Sequence, residues 1–424
     1  MAIAEVPLQG EAEAEVRERI LSLPDRFRSA AAAGFAAEFA LHIDSDRYRV
    51  AIADGRCAVG EQDPTAPTAR ISTDAGTWLD LDAGFLTSID AFLDDRITVR
   101  GNVDHAVRMQ SLFRPFARER TPQDLEHVTI RVGGNRLSTF LFGEGPPVVL
   151  LHGLGATKLS YLPLLPALAR HYTVVVPDLP GHGESTKPRA PDYTPQYFAY
   201  VMLELLDHLG VERAAIIGNS MGGRIALEVA GEAPDRVPAL VLLDPAAAGL
   251  PFPLFARLLG MLPTGAGAVP IPLRKRIVMG AMRQLFANPA RLPSAAYLAG
   301  ADEFVRIYRM GDARRALLAA IRGLVADPDG PFWERVGDYP GRALILWGSE
   351  DRLVPVRMGR RLAATMRNAE MVVLPGVGHV PQFEVPEETR SLVLSFLGRS
   401  IGPRLIPGAA EPGSTPRAAG SAGS

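Results

Sequence analysis

The sequence predicts an α/β protein: a mostly parallel sheet covered by helices on both faces, interrupted by one helical insertion and preceded by a smaller α+β unit. Three observations carry this. Short apolar runs recur after residue 127, each followed by a helix-length segment: Val148–Leu151, Val174–Val176, Ala214–Ile217, Leu240–Leu243, Ala343–Leu346 and Met371–Val373. Continuous apolar runs of this length, spaced by helices, are the pattern of strands buried on both faces of a parallel sheet. The spacing breaks once, because the stretch between Leu243 and Ala343 is too long for a single crossover, and a helical cap over about 246–335 is expected there. Before residue 118 the pattern is different. Phe39, Leu41 and Ile43, then Tyr48, Val50 and Ile52, alternate around Asp44-Ser45-Asp46, which is the period-two pattern of a hairpin.

The N-terminal unit is expected over 15–118. Asp54-Gly55 marks a second turn before a strand at Arg56–Val59, and Ile97–Val99 forms a further short strand. A helix is expected from Asn102 as N-cap, with Val103, Ala106, Met109, Gln110 and Phe113 on one side, ending before Pro115. The charged segment 119–126 reads as a linker to the larger domain at 127–400. The tail 401–424 is rich in Gly, Ala, Pro and Ser and is expected to be disordered, having too little apolar surface to offset its ordering entropy.

Composition narrows the function classes. The 424 residues point to two folded units, and 47% hydrophobic with 22% charged residues is a normal globular balance. With 45 Lys+Arg against 47 Asp+Glu the net charge is −2, so no overall basic field exists to hold a phosphate backbone, and nucleic acid is not expected as a partner. The single cysteine, Cys57, has no partner for a disulfide; it is expected to be a small buried apolar residue in a reducing compartment. Glu5, Glu11, Glu13 and Glu15 occupy the region where an export signal needs positive charge, so a cytoplasmic location is expected. The apolar stretch Leu258–Leu273 is broken by Pro263, Pro270 and Pro272 and is too short to span a bilayer, although peripheral membrane contact stays open. Lys275 and Arg276, just beyond it, offer a small basic patch. None of the eight histidines has ligand spacing with a carboxylate or thiol, so neither metal nor cofactor is expected.

The chemistry concentrates in four places. Gly218-Asn219-Ser220-Met221-Gly222-Gly223 follows an apolar run and precedes the helical segment Arg224–Ala230, a GxSxG in a strand-turn-helix context. Such a turn projects the Ser220 hydroxyl above the sheet edge, while the helix N-terminus supplies N–H groups for a developing oxyanion. The turn His152-Gly153-Leu154-Gly155 offers a second donor, so the amides of Leu154 and Met221 are the candidate oxyanion hole, with His152 read as structural. Asp351, just past the strand run at Ala343–Leu346, is the candidate acid, with Asp244 and Glu350 as rivals; His379, in Gly376-Val377-Gly378-His379, is the candidate base. The chain order Ser, Asp, His and the position of each residue beyond a strand C-terminus suit a nucleophile–base–acid triad.

Taken together, these motifs and Asp178-Leu179-Pro180-Gly181-His182-Gly183-Glu184-Ser185 resemble the α/β-hydrolase fold over about Val128–Arg399. The resemblance implies a serine hydrolase, nearest to esterases and lipases acting on a hydrophobic ester. The Gly-Asn-Ser-Met-Gly-Gly form is also similar to that of meta-cleavage-product hydrolases, which cut carbon–carbon bonds. The N-terminal unit resembles sterol-carrier-protein type 2 domains at Ala69–Thr73, at Phe92–Asn102 and at Ser111-Leu112-Phe113. That resemblance implies an apolar cavity and a lipid partner. Two alternatives stand beside these: a cavity-free domain used for dimerisation, and a lipid carrier whose hydrolase half is a catalytically inert scaffold.

Overall fold

The computed structural model describes residues 9–189, 193–247, 261–262, 267, 274–291, 294–326 and 330–402. The smaller domain holds five strands: β1 (Ala37–Ile43), β2 (Asp46–Ala53), β3 (Arg56–Gly60), β4 (Ala69–Thr73) and β5 (Thr98–Gly101), in the order β3-β2-β1-β4-β5. The β1–β2 hairpin pairs Phe39 with Val50 and Leu41 with Tyr48, so the alternating apolar residues share one buried face. Asp44 and Asp54 both adopt positive φ at the hairpin turns, a conformation that aspartate tolerates better than most residues. The helix expected at Asn102 spans Val103–Met109 and continues as a 3-10 turn to Leu112; the Asn102 side chain caps it by accepting from the His105 N–H.

The larger domain is an eight-stranded sheet: β6 (Glu126–Val132), β7 (Asn135–Phe142), β8 (Pro147–Leu151), β9 (Thr173–Pro177), β10 (Ala215–Asn219), β11 (Ala239–Leu243), β12 (Arg342–Gly348) and β13 (Ala369–Leu374). The order is β13-β12-β11-β10-β8-β9-β7-β6. Pairings from β13 to β9 are parallel; β7 and β6 join antiparallel at the far edge. This corrects the sequence reading, in which the sheet begins at Val148 and Glu126 belongs to a linker. In β6 and β7 polar residues such as Arg131, Arg136 and Ser138 interrupt the apolar runs, which hides them from a search for continuous hydrophobic strands. Within the central strands alternate residues bury on opposite faces: Val148 and Leu150 of β8 join one apolar cluster, Val149 and Leu151 the other.

Smaller corrections follow. Cys57 is half-buried on the edge strand β3, and burial pushes its thiol up to about 11. The fifth strand, Thr98–Gly101, starts one residue later than the expected Ile97–Val99 and runs on past it, and the C-terminal helix Pro386–Ile401 reaches into the expected tail. The stretch 403–424 lies outside the described residues, as does 248–260 at the start of the expected cap. In the insertion, helices occupy Lys275–Met282, Ser294–Tyr308, Gly311–Val325 and Gly330–Asp338, as a helical cap requires. Among the described residues no helix is long and apolar enough to cross a membrane.

The two domains share a core. One apolar cluster runs from Ile20, Phe39 and Phe113 of the first domain into Phe140, Leu150 and Val174 on one face of the large sheet. Continuity of buried apolar surface couples their unfolding. Variants retaining only Trp78, in the first domain, or only Trp347, in β12, should therefore lose fluorescence at the same urea concentration. Separate midpoints would show two independent cores.

Candidate active site

Strand β10 delivers Ser220 into a backbone conformation of φ 54°, ψ −117°, after which the helix Met221–Glu232 begins. A positive φ at a non-glycine residue costs on the order of 1–3 kcal/mol and persists only where its surroundings hold it. Here the Ser220 N–H donates to the Leu243 carbonyl at 3.0 Å and its carbonyl accepts from the Ala246 N–H at 3.0 Å. Both flanking glycines are sterically required. A Cβ on Gly222 would collide with the Leu151 carbonyl of β8, and one on Gly218 would collide with the backbone of Gly222. The turn thus packs directly against the neighbouring strand, and Gly153 sits so close that a Cβ there would lie 3.2 Å from the Ser220 Cβ.

Among the described residues, neither the Leu154 nor the Met221 N–H donates a hydrogen bond within the protein, and both belong to the two turns that meet at Ser220. His152 is fully buried; its Nε2 accepts from the Leu179 N–H at 3.0 Å, which leaves Nδ1 to donate to the Gly153 carbonyl at 2.9 Å. Burial lowers its pKa, so a neutral ring braces the turn, as the structural reading expects.

His379 stands on the loop after β13. Its Nδ1 lies 2.7 Å from Asp351 Oδ2, with side chains 4% and 0% exposed. The other Asp351 oxygen accepts from the N–H groups of Leu353 and Val354 at 2.8 and 3.0 Å. An acceptor-only carboxylate on Nδ1 assigns the proton to that nitrogen and leaves Nε2 with its lone pair. Asn219 Nδ2 donates to the His379 carbonyl at 3.2 Å and to Leu243 at 3.0 Å, which ties the histidine loop to the residue next to Ser220.

The rival acids separate cleanly. Glu350 is exposed. Asp244 is fully buried with one oxygen accepting from the Gly348 N–H at 2.8 Å, and its carboxyl lies within 4.8 Å of both Asp351 and His379. Burial first, and the Asp351 charge second, raise its pKa well above the carboxylate range. Two carboxylates in one dry pocket cannot both ionise readily, and Asp244 is the neutral member.

Sequence reasoning missed Glu384. Its buried carboxylate accepts from the N–H of Gly378 at 2.9 Å and from those of Ala287 and Asn288 at 3.1 and 2.7 Å, while the His379 N–H donates to the Leu285 carbonyl at 2.7 Å. The cap and the histidine loop are therefore bonded to each other. No local signal marks Glu384 as a link to the cap, since its partners there, Ala287 and Asn288, lie 97 and 96 residues upstream.

With this geometry in view, the model of the alpha/beta hydrolase fold family matches residues 146–386. The chain belongs to the α/β-hydrolase fold family. The model of the SCP-2 sterol transfer family matches residues 18–114, so this α/β hydrolase carries an SCP2 domain at its N-terminus. The hydrolase is similar to the dihydrolipoyllysine-residue acetyltransferase component of an acetoin cleaving system from Pseudomonas putida, at 36% identity over 63% of this chain and 68% of that protein. It is also similar to a 2-hydroxy-6-oxo-6-phenylhexa-2,4-dienoate hydrolase from Burkholderia cepacia, at 28% identity over 60% of this chain and 88% of that one. Among solved structures it resembles a membrane phospholipase A described as a bacterial virulence factor, with a TM-score of 0.56, 26% identity, and coverage of 66% of this chain and 87% of the other.

A carboxyl held neutral in the fold makes stability depend on pH. Because the folded pKa of Asp244 lies above its unfolded value, its contribution is complete below about pH 4 and declines as pH rises toward the folded pKa. Asp244→Asn cannot ionise, so its melting temperature should fall less between pH 4 and 8 than that of the parent. An equally steep decline in both would place the titration elsewhere.

Proposed function

We propose that this α/β hydrolase is a serine hydrolase that cleaves a carboxylic ester of a hydrophobic, lipid-like substrate through an acyl-enzyme on Ser220. The observation that carries the reading is the Asp351–His379 pair, bonded through Asn219 to the turn that presents Ser220. In this reading His379 Nε2 takes the Ser220 proton as the hydroxyl attacks the ester carbonyl. The amides of Leu154 and Met221 stabilise the oxyanion. His379 then returns the proton to the departing alkoxide, and the same base activates the water that hydrolyses the acyl-enzyme. Asp351 holds the imidazole in the productive tautomer and stabilises its cation. Asp244 stays neutral beside it.

Support for a lipid-like substrate comes from the SCP2 domain. It holds a small, partly open pocket of about 60 Å³ lined mainly by Leu23, Ile71, Trp78, Leu81, Ile97 and Met109, with Arg26, Asp82 and Arg114 also in its wall. An apolar lining of this kind suits an acyl or sterol-like moiety better than a polar metabolite. The resemblance to a phospholipase structure points the same way. A second reading, carbon–carbon cleavage of a dienoic acid, is favoured by the B. cepacia relative and by the Gly218–Gly223 sequence.

A series of p-nitrophenyl esters of increasing acyl length separates the readings. Turnover should peak at medium or long chains and vanish in Ser220→Ala with folding intact. Asp351→Asn should lower kcat by about 10⁴, the loss that a wrong histidine tautomer produces in such triads. Ester turnover that survives Ser220→Ala would remove the acyl-enzyme. Turnover of a dienoic acid where no ester reacts would favour the second reading.

A further inference from the structure

Lys158, four residues past Leu154, is 1% exposed, and its ammonium meets three acceptors: Asp178 Oδ2 at 2.8 Å, Ser138 Oγ at 3.1 Å and Asp104 Oδ1 at 2.7 Å. The first two belong to the hydrolase domain. Asp104 belongs to the SCP2 domain, in the helix Val103–Met109, and is itself 1% exposed. Two of the ammonium's N–H groups are taken by Ser138 and Asp178, and among the described residues the further countercharge to this buried cation from the other domain is Asp104, held as an ion pair. The charge of Lys158, with that of Arg108 behind it, outweighs the effect of burial and holds Asp104 below the ordinary carboxylate range.

The ion cluster sits on the two loops that shape the oxyanion turn. Asp178 also accepts from the backbone N–H groups of Lys158 at 2.8 Å and Glu184 at 2.9 Å, and the next residue, Leu179, donates to His152. The turn 153–157 is thus held at its start by His152 and at its end by Lys158. The same edge of the SCP2 domain reaches the cap. Strand β5 packs against the cap helix Ser294–Tyr308, whose Arg306 bridges Glu184 and Glu303 at 2.5 and 2.6 Å. Phe304 of that helix stands 3.2 Å from where a Cβ on Gly155 would lie. Asp104, His105 and Glu184 bring their ligand atoms within 4.8 Å of one another, but Lys158 and Arg306 already neutralise the two carboxylates, so this junction is an ion-paired contact rather than a cation site.

We infer that the SCP2 domain is a working part of the hydrolase, with Asp104 as a positioning residue that holds Lys158 and, through it, the Leu154 oxyanion turn. The inference rests on the proposed function for its catalytic consequence and on the ion cluster alone for its structural one. A domain that only delivered substrate would need a loose tether. Instead it contributes a buried charge to the loop that the chemistry uses. Truncating Asp104 removes one countercharge from an ammonium in a dry site and loosens the end of the turn that Lys158 holds.

The test uses the full chain with two readouts: the rate at which a fluorophosphonate labels Ser220, and amide hydrogen exchange over 152–161. In Asp104→Ala, assayed well below its melting temperature, labelling should slow by about tenfold, the size expected when a donor is misplaced rather than removed. Exchange in 152–161 should accelerate while the helix Met221–Glu232 is unaffected. Asp104→Asn keeps an acceptor for Lys158 and should recover most of both, remaining measurably below the parent. With an ester substrate the loss should fall on kcat and leave KM nearly unchanged. A folded Asp104→Ala that labels and exchanges like the parent overturns the inference. Should that variant fail to fold, Asp104→Asn decides, and its identity with the parent in both readouts overturns it equally. A parent chain inert to the fluorophosphonate counts against Ser220 as nucleophile, and the exchange data then judge Asp104 on their own.

Discussion

The backbone at Ser220 is the constraint from which the rest of the site follows. A serine at φ 54° is unfavourable in isolation, and it is held by contacts from three strands. β11 accepts its N–H through Leu243, β8 presses its Leu151 carbonyl against Gly222, and β10 leads into it. None of those strands can shift without releasing the turn. Fully buried parallel strands with apolar residues on both faces are rigid enough to keep it there, and this explains why the site stands at their C-terminal ends.

Around that turn the polar groups are arranged by the number of partners each can satisfy. Asp351 spends one oxygen on two backbone N–H groups and the other on His379, so its position and the imidazole tautomer are set together. Asp244 has a single N–H donor among the described residues and a charged neighbour, and it remains neutral. Burial, and then the neighbouring Asp351 charge, keep the Asp244 carboxyl protonated. Glu384 extends the logic outward, using one carboxylate to join the histidine loop to the cap.

The junction between the domains obeys the same rule with higher stakes. A buried ammonium lacking an acceptor is costly, so Asp104 and Lys158 specify one docking geometry. The shared apolar cluster supplies attraction without direction, and the ion cluster supplies the direction. An SCP2 domain fixed in this way presents its pocket-lining helix Val103–Met109 to the hydrolase in a constant orientation.

Local patterns determined much of this protein. The five central strand runs, the hairpin at 38–52, the Asn102 cap, the insertion between β11 and β12 and the glycine-flanked Ser220 all follow from periodicity, turn chemistry and spacing, which act over a few neighbouring residues. The antiparallel β6 and β7 did not announce themselves, because alternating polar residues on an edge resemble a loop. Asp351 was already the acid suggested by its place past β12, and two things required the folded chain: that Glu384 joins cap to histidine, and that Asp104 pairs with Lys158. Each depends on which buried groups meet across tens of residues. No short-range pattern encodes such a meeting; the packing of the sheet and its two covering layers decides it.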